Sequence, residues 1–186
     1  WNYFGTESVV EIPGDDVVDW ALIELRDAAD ASSATSSASI AFQAGFVLKD
    51  GSVRGVDGSS FLTFNVPFVN NLFVVVWHRN HLAVISAYPL IGSGGVFSYD
   101  FSVSANAAYG GAIAHKDLGG GVWGMVGGDG LPDGQIGNTD KIDVWIPQSG
   151  NSGYYQGDFT LDGQVNNNDK VDVWSVNSGW SSQVPN

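Results

Sequence analysis

Residues 129–174 read DGLPDGQIGNTDKIDVWIPQSGNSGYYQGDFTLDGQVNNNDKVDVW, and the stretch carries one motif twice. Laid over each other, 129–145 and 158–174 share Asp, Asp-Gly-Gln, an aliphatic residue, Asn, Asp-Lys, a second aliphatic residue and Asp-Val-Trp at identical offsets, with a period of 29 residues. Repetition at a fixed period marks a duplicated structural unit. Within each copy the spacing is that of a loop wrapped around a hard cation. Such a loop supplies side-chain oxygens at positions 1, 3 and 5, a glycine at 6 for the bend, a backbone carbonyl at 7 and an acid at 12.

The first copy offers Asp129, Asp133, the carbonyl of Gln135 and Asp140. The second offers Asp158, Thr160, Asp162, the carbonyl of Gln164 and Asp169, with Asn166 at position 9 acting directly or through water. Two Ca2+ sites are therefore expected. The first is expected to be the weaker, because Leu131 stands at position 3 and has no oxygen to give. Ile136 and Val165 at position 8 are the expected packing residues between the loops. Short helices are expected over 138–146 and 167–176, with Ile142 beside Trp145 and Val171 beside Trp174 on their inner faces. Eight of the twenty acids fall within residues 129–172, so the metal-free segment is expected to fold poorly through mutual repulsion.

On these residues the segment from about 127 to 177 resembles a dockerin, the duplicated calcium module of secreted bacterial proteins; dockerins close their loops with Asp rather than Glu at position 12. The stretches DWALIELRD (19–27), WHRNHLAVISA (77–87) and AYGGAIAHKDLGGGVWGMVGGDG (108–130) are more loosely similar to β-domains that precede dockerin-like ends in large secreted bacterial surface proteins. The resemblance implies an extracellular or cell-surface setting. It also implies a cohesin-like receptor read by loop positions 10 and 11. Those positions are Asn138-Thr139 and Asn167-Asn168, which differ between the copies and are not the usual dockerin pair.

Upstream of the duplication the sequence reads as β. Apolar runs rich in β-formers occupy 17–27, 40–48, 52–56, 61–66, 72–78, 82–88 and 96–103, with Gly, Asp and Asn clusters between them. Phe97, Tyr99 and Phe101 alternate with polar residues at the period of a half-buried strand. The expected fold is mainly β: an antiparallel β-sandwich, jelly-roll-like, over residues 1–126, followed by a small α module of two calcium loop–helix repeats over 127–186. A chain opening on Trp1 is expected to be a processed product or a fragment.

Composition narrows the function. Seven bases against twenty acids give a net charge of −13, which excludes a nucleic-acid partner built on phosphate contacts. No cysteine is present, so disulfides and thiolate chemistry are excluded. No apolar run is long enough for a membrane span. The hairpin His78-Arg79-Asn80-His81, with His115, offers a three-histidine metal site as an alternative to plain turn and strand roles. No G-x-S-x-G elbow occurs, and Glu7, Glu11 and Glu24 form no recognisable catalytic pair, so no enzyme is expected. Trp77, Tyr88, Tyr99, Tyr109, Trp123, Tyr154, Tyr155 and Trp180 are candidates for a glycan platform, or else for the core.

Ahead of Pro13-Gly14 lies Ser8-Val9-Val10-Glu11-Ile12, a strand-competent arm. It can pair within its own sheet or complete a neighbour's. The expected function is thus a non-enzymatic, calcium-stabilised extracellular structural or adhesive protein. It would be a filament subunit whose partners are copies of itself joined by strand exchange. The alternative is a carbohydrate-binding or dockerin-type docking module of a larger secreted protein.

Overall fold

The computed structural model describes Tyr3 and residues 5–186. The protein is mainly β, and its organising element is β1 (Val17–Ala28), whose residues from Ala21 to Arg26 are all buried. Such a run needs cover on both faces and partners on both edges. β1 has both, pairing antiparallel with β2 (Ser39–Leu48) on one side and β4 (Asn71–Trp77) on the other. β3 (Val53–Arg54) and β5 (Val84–Ile85) complete a five-stranded antiparallel sheet of order β3-β2-β1-β4-β5.

Successive side chains of a strand point to opposite faces. On one face Ala21, Ile23 and Leu25 pack with Val74 beneath Leu62, Phe64, Tyr99 and Phe101. On the other Ala28, Phe73, Val75 and Ile85 pack against Ala31 of a short 3-10 turn and Ala34 at its end, with Tyr109 and Val184 beside them. This second face also buries Glu24 and Arg26. Arg26 donates from Nε and Nη2 to the two carboxylate oxygens of Glu24 at 2.7 and 3.1 Å, and from Nη1 to the carbonyls of Ala34 and Pro185. The Trp77 indole donates to Glu24 as well. The pair is satisfied on every side, the condition under which buried charge is tolerated.

Two hairpins lie outside the sheet: β6 (Ile91–Ser93) with β7 (Val96–Ser98), and β8 (Lys116–Gly119) with β9 (Val122–Gly124). The antiparallel, mainly β character expected from the sequence is therefore present, as one full sheet and two hairpins. Individual strands differ from the reading. Residues 61–66 join no ladder; Leu62 and Phe64 reach the core while the Thr63 amide bonds the Gln43 side chain. The run at 96–103 stops pairing at Ser98, because Asp100 accepts the Ser102 amide in a local turn that ends the extended backbone.

Two short helices lie toward the carboxy terminus. In α1 a π-helical segment, Asp140–Trp145, runs into an α-turn, Ile146–Gln148. In α2 the same winding covers Asp169–Trp174 and Ser175–Asn177. The wider π winding carries the Ile146 amide to the Lys141 carbonyl and the Ser175 amide to that of Lys170. It changes the expected inner face: Ile142 and Val171 are exposed, and Val144 is buried instead. Among the described residues no helix is long and apolar enough to cross a membrane.

Residues on either side of position 126/127 share apolar contacts: Leu82, Val126 and Ile136 pack with Trp174 and Trp180. Replacing Arg26 with Met leaves Glu24 charged and buried without its partner. The expected loss is about 3–5 kcal/mol, read as a lower urea midpoint at unchanged slope.

Candidate metal centre

The two duplicated loops take the same shape from the same bonds. In the first, Asp129 accepts the amides of Asp133 and Gly134, and Asp140 accepts those of Leu131 and Gly137. In the second, Asp158 accepts the amides of Asp162 and Gly163, and Asp169 accepts those of Thr160 and Asn166. Position 1 thus ties down positions 5 and 6, while position 12 ties down positions 3 and 9. Gly134 and Gly163 both sit at φ +81°, a left-handed turn that glycine adopts without steric penalty. Asp133 and Asp162 each accept the amide two residues on.

Asp129, Asp140, Asp158 and Asp169 are 0–3% exposed. Burial, then the charges of Asp140 and Asp133, push the Asp129 carboxyl up to about 7. Burial also raises Asp140 and Asp158, with the Asp133 charge adding at the former and the Asp169 charge at the latter. Of the four, Asp158 alone has a basic side chain within ion-pair distance among the described residues: Arg79 Nη2 lies 3.6 Å from its Oδ2.

The remaining expected ligands sit further out. The Thr160 hydroxyl lies between the two acids of its loop, 2.9 Å from Asp169 and 3.4 Å from Asp158. Asn166 is half-buried, while Asp133, Asp162, Gln135 and Gln164 are exposed, as is Leu131. Each loop therefore brings two acids together at depth and keeps a third at its mouth. Among the described residues no three His, Asp or Glu side chains close on a single point. The donor set is nevertheless all oxygen and mostly anionic. The ion that such a set suits is a hard dication.

The three histidines do not gather. His78 and His81 meet edge to face at 4.7 Å, but His115 packs against Phe101 in the core. The segment His78-Arg79-Asn80-His81 bolts the sheet to the second loop. His78 Nε2 and Arg79 Nε lie 3.3 and 2.9 Å from Asp19 Oδ2, and the Tyr154 hydroxyl donates to Asp19 Oδ1. Arg79 also donates to the Tyr155 carbonyl, and Asn80 to the carbonyls of Gln156 and Asp158. Burial alone would raise the Asp19 carboxyl; the hydrogen bond and charge of His78, then Tyr154 and Arg79, hold it well below the usual carboxylate range. The sequence signalled this bolt only through its unusual density of His, Arg and Asn.

Four of the eight candidate glycan aromatics serve the interior. Trp77 bonds Glu24, the Tyr99 hydroxyl bonds the backbone of residues 87, 88 and 107, and Tyr109 and Trp180 pack on core clusters. Trp123 and Tyr155 are half-buried, and Tyr88 and Tyr154 are exposed. Ser8, Val9, Val10, Glu11 and Ile12 belong to no ladder. Val10 is fully exposed, and Ile12 borders a cleft of about 400 Å3 lined also by Val18, Trp20, Phe46 and Tyr154. No family model, curated protein or solved structure compared with the chain matches it.

Burial, then the charge of His78, pushes His81 down to about 3. An unfolded histidine titrates near 6.5, so below that pH the unfolded chain takes up the proton first, and the stability is lost as pH falls toward 3. The melting temperature in chelator is expected to fall further between pH 7 and pH 5 in the parent than in His81→Gln. Parallel curves would contradict the assignment.

Proposed function

We propose that this protein is a non-enzymatic extracellular structural or adhesive subunit, stiffened by two calcium ions and joined to copies of itself through its amino-terminal arm. The observation that carries this reading is the pairing state of the arm and of β2. The strand-competent residues 8–12 form no ladder, while β3 covers the outer edge of β2 only at Phe46 and Val47. Further along that edge the Ala44 amide is met by a side chain, Glu7 Oε1 at 3.3 Å. An unpaired β-segment and an open sheet edge in one chain are complementary between copies. Head-to-tail use of such a contact builds an open filament.

Calcium belongs to the same reading. Asp129, Asp133, the Gln135 carbonyl and Asp140 would hold one ion; Asp158, Thr160, Asp162, the Gln164 carbonyl, Asn166 and Asp169 would hold the other. The ion would supply positive charge where buried carboxylates now face one another, and the first loop would bind more weakly for want of an oxygen at Leu131. Millimolar extracellular calcium suits sites of this kind as a constitutive brace. A dockerin-like module behind a jelly-roll-like sandwich, at the surface of a bacterial cell, is the architecture this reading implies.

Calcium is expected to raise the melting temperature by several degrees, and Asp162→Asn to shrink that rise while leaving the chelator value close to the parent's. A melting temperature indifferent to calcium would overturn the metal assignment. Light scattering of the full chain over a concentration series is expected to show growing oligomers, which removal of residues 1–12 abolishes. A parent that stays monomeric at high concentration would overturn assembly.

A further inference from the structure

The two repeats are woven together, each holding the other's loop. Trp145, carried by α1 behind the first loop, donates its indole N–H to the carbonyl of Asn166 in the second loop at 2.9 Å. Trp174, carried by α2 behind the second loop, donates to the carbonyl of Gly137 in the first at 2.7 Å. Both carbonyls belong to position 9, beside the amide that the closing acid already holds.

The backbone follows the same cross. After α1 the chain pairs with the second loop: Gly150 donates to the Val165 carbonyl, Val165 to that of Asn151, and Gly153 to that of Gly163. After α2 it pairs with the first: Gly179 donates to the Ile136 carbonyl, Ile136 to that of Trp180, and Ser182 to that of Gly134. Close packing repeats the pattern. A Cβ at Gly157, just before the second loop, would lie 3.3 Å from the Cα of Trp145, and one at Gly128, just before the first, 3.4 Å from the Cα of Trp174. Lys170 lies over the Trp145 ring and Lys141 over that of Trp174.

We infer that Trp145 and Trp174 are crossed positioning residues, so that each helix sets the ion affinity of the other repeat's loop and the two calcium sites fill cooperatively. The inference rests on the calcium reading of the loops. Its physical basis is a closed circuit. Each helix carries the closing acid of its own loop, Asp140 or Asp169, in its first turn. An ion on that acid fixes the start of the helix and thereby the tryptophan five residues on. The fixed indole then holds position 9 of the other loop in its bound shape, so the ordering needed at the second site is already done. Two loops that braced only themselves would bind independently.

The test is calorimetric titration of the full chain with Ca2+, followed in parallel by terbium luminescence sensitised by tryptophan. The parent is expected to bind two ions with a Hill coefficient above 1. Disabling the first loop with Asp129→Asn leaves the second as the remaining site. In that background Trp145→Phe, which keeps the ring and removes the donor, is expected to weaken binding about fivefold, or about 1 kcal/mol. Trp174→Phe, on the site's own helix, is expected to change it less. Disabling the second loop with Asp158→Asn should reverse the two roles. A residue that merely holds the fold would weaken both sites alike, so the reversal is the signature.

Independent sites in the parent, or equal losses from both tryptophan variants, would overturn the inference and leave the calcium reading standing. Absence of binding to the parent would overturn both. Should Trp145→Phe fail to fold in calcium, Trp174→Phe measured in the two disabled-loop backgrounds carries the same crossed comparison: a larger loss at the first loop than at the second supports the inference, and equal losses overturn it.

Discussion

Four carboxylates almost out of contact with water set the form of the carboxy-terminal third of this protein. Buried anionic groups are tolerated only when hydrogen bonds or cations answer them. Here Asp129, Asp140, Asp158 and Asp169 each accept two backbone amides of their own loop. The amides fix the loops, the loops start the helices, and the helices brace the opposite loops. What the amides leave unanswered is charge, which is why burial and neighbouring acids raise the Asp129 carboxyl so far. In the proposed function a dication completes the balance.

The sheet supplies the wall against which this assembly rests. It buries ionisable groups by the same logic with different partners. Glu24 is answered by Arg26 and the Trp77 indole, and Asp19 by His78, Arg79, Tyr154 and the Trp20 amide. Arg79 spans the junction, lying at once near Asp19 of the sheet and Asp158 of the second loop. Among the described residues the first loop has no such cation, and it meets the rest of the chain through the apolar cluster of Leu82, Val126 and Ile136. The repeats are thus equal in sequence spacing and unequal in setting. The one with the fuller donor set is also the one bound ionically to the sheet.

Much of the site was legible because its grammar is local. The amides that Asp129 and Asp158 accept lie four and five residues on, and the glycine turns lie inside the same loops, so spacing alone located them. The long strands β1, β2 and β4 were legible for a similar reason, since continuous apolar β-forming runs are what a buried strand requires. The run at 96–103 misled because alternation records which side chains are buried. It does not record which backbones pair. Tyr99 and Phe101 do reach the core, from a chain already turned by Asp100. Of the residues expected on the inner faces of α1 and α2, Trp145 and Trp174 do turn inward, while Ile142 and Val171 are exposed because the winding is wider than a period of 3.6.

By itself the sequence determined the duplication, the turns of the two loops, the acidic balance and the predominance of β structure, all of them properties of residues close together in the chain. Tertiary structure alone decided that Trp145 serves the second loop and Trp174 the first, that Arg79 meets Asp158, and that the arm stays outside its own sheet. Those contacts join residues 21, 37 and 79 positions apart, with no repeating interval to betray them. A side chain's partner across such a distance is set by how the packed elements come to rest against one another.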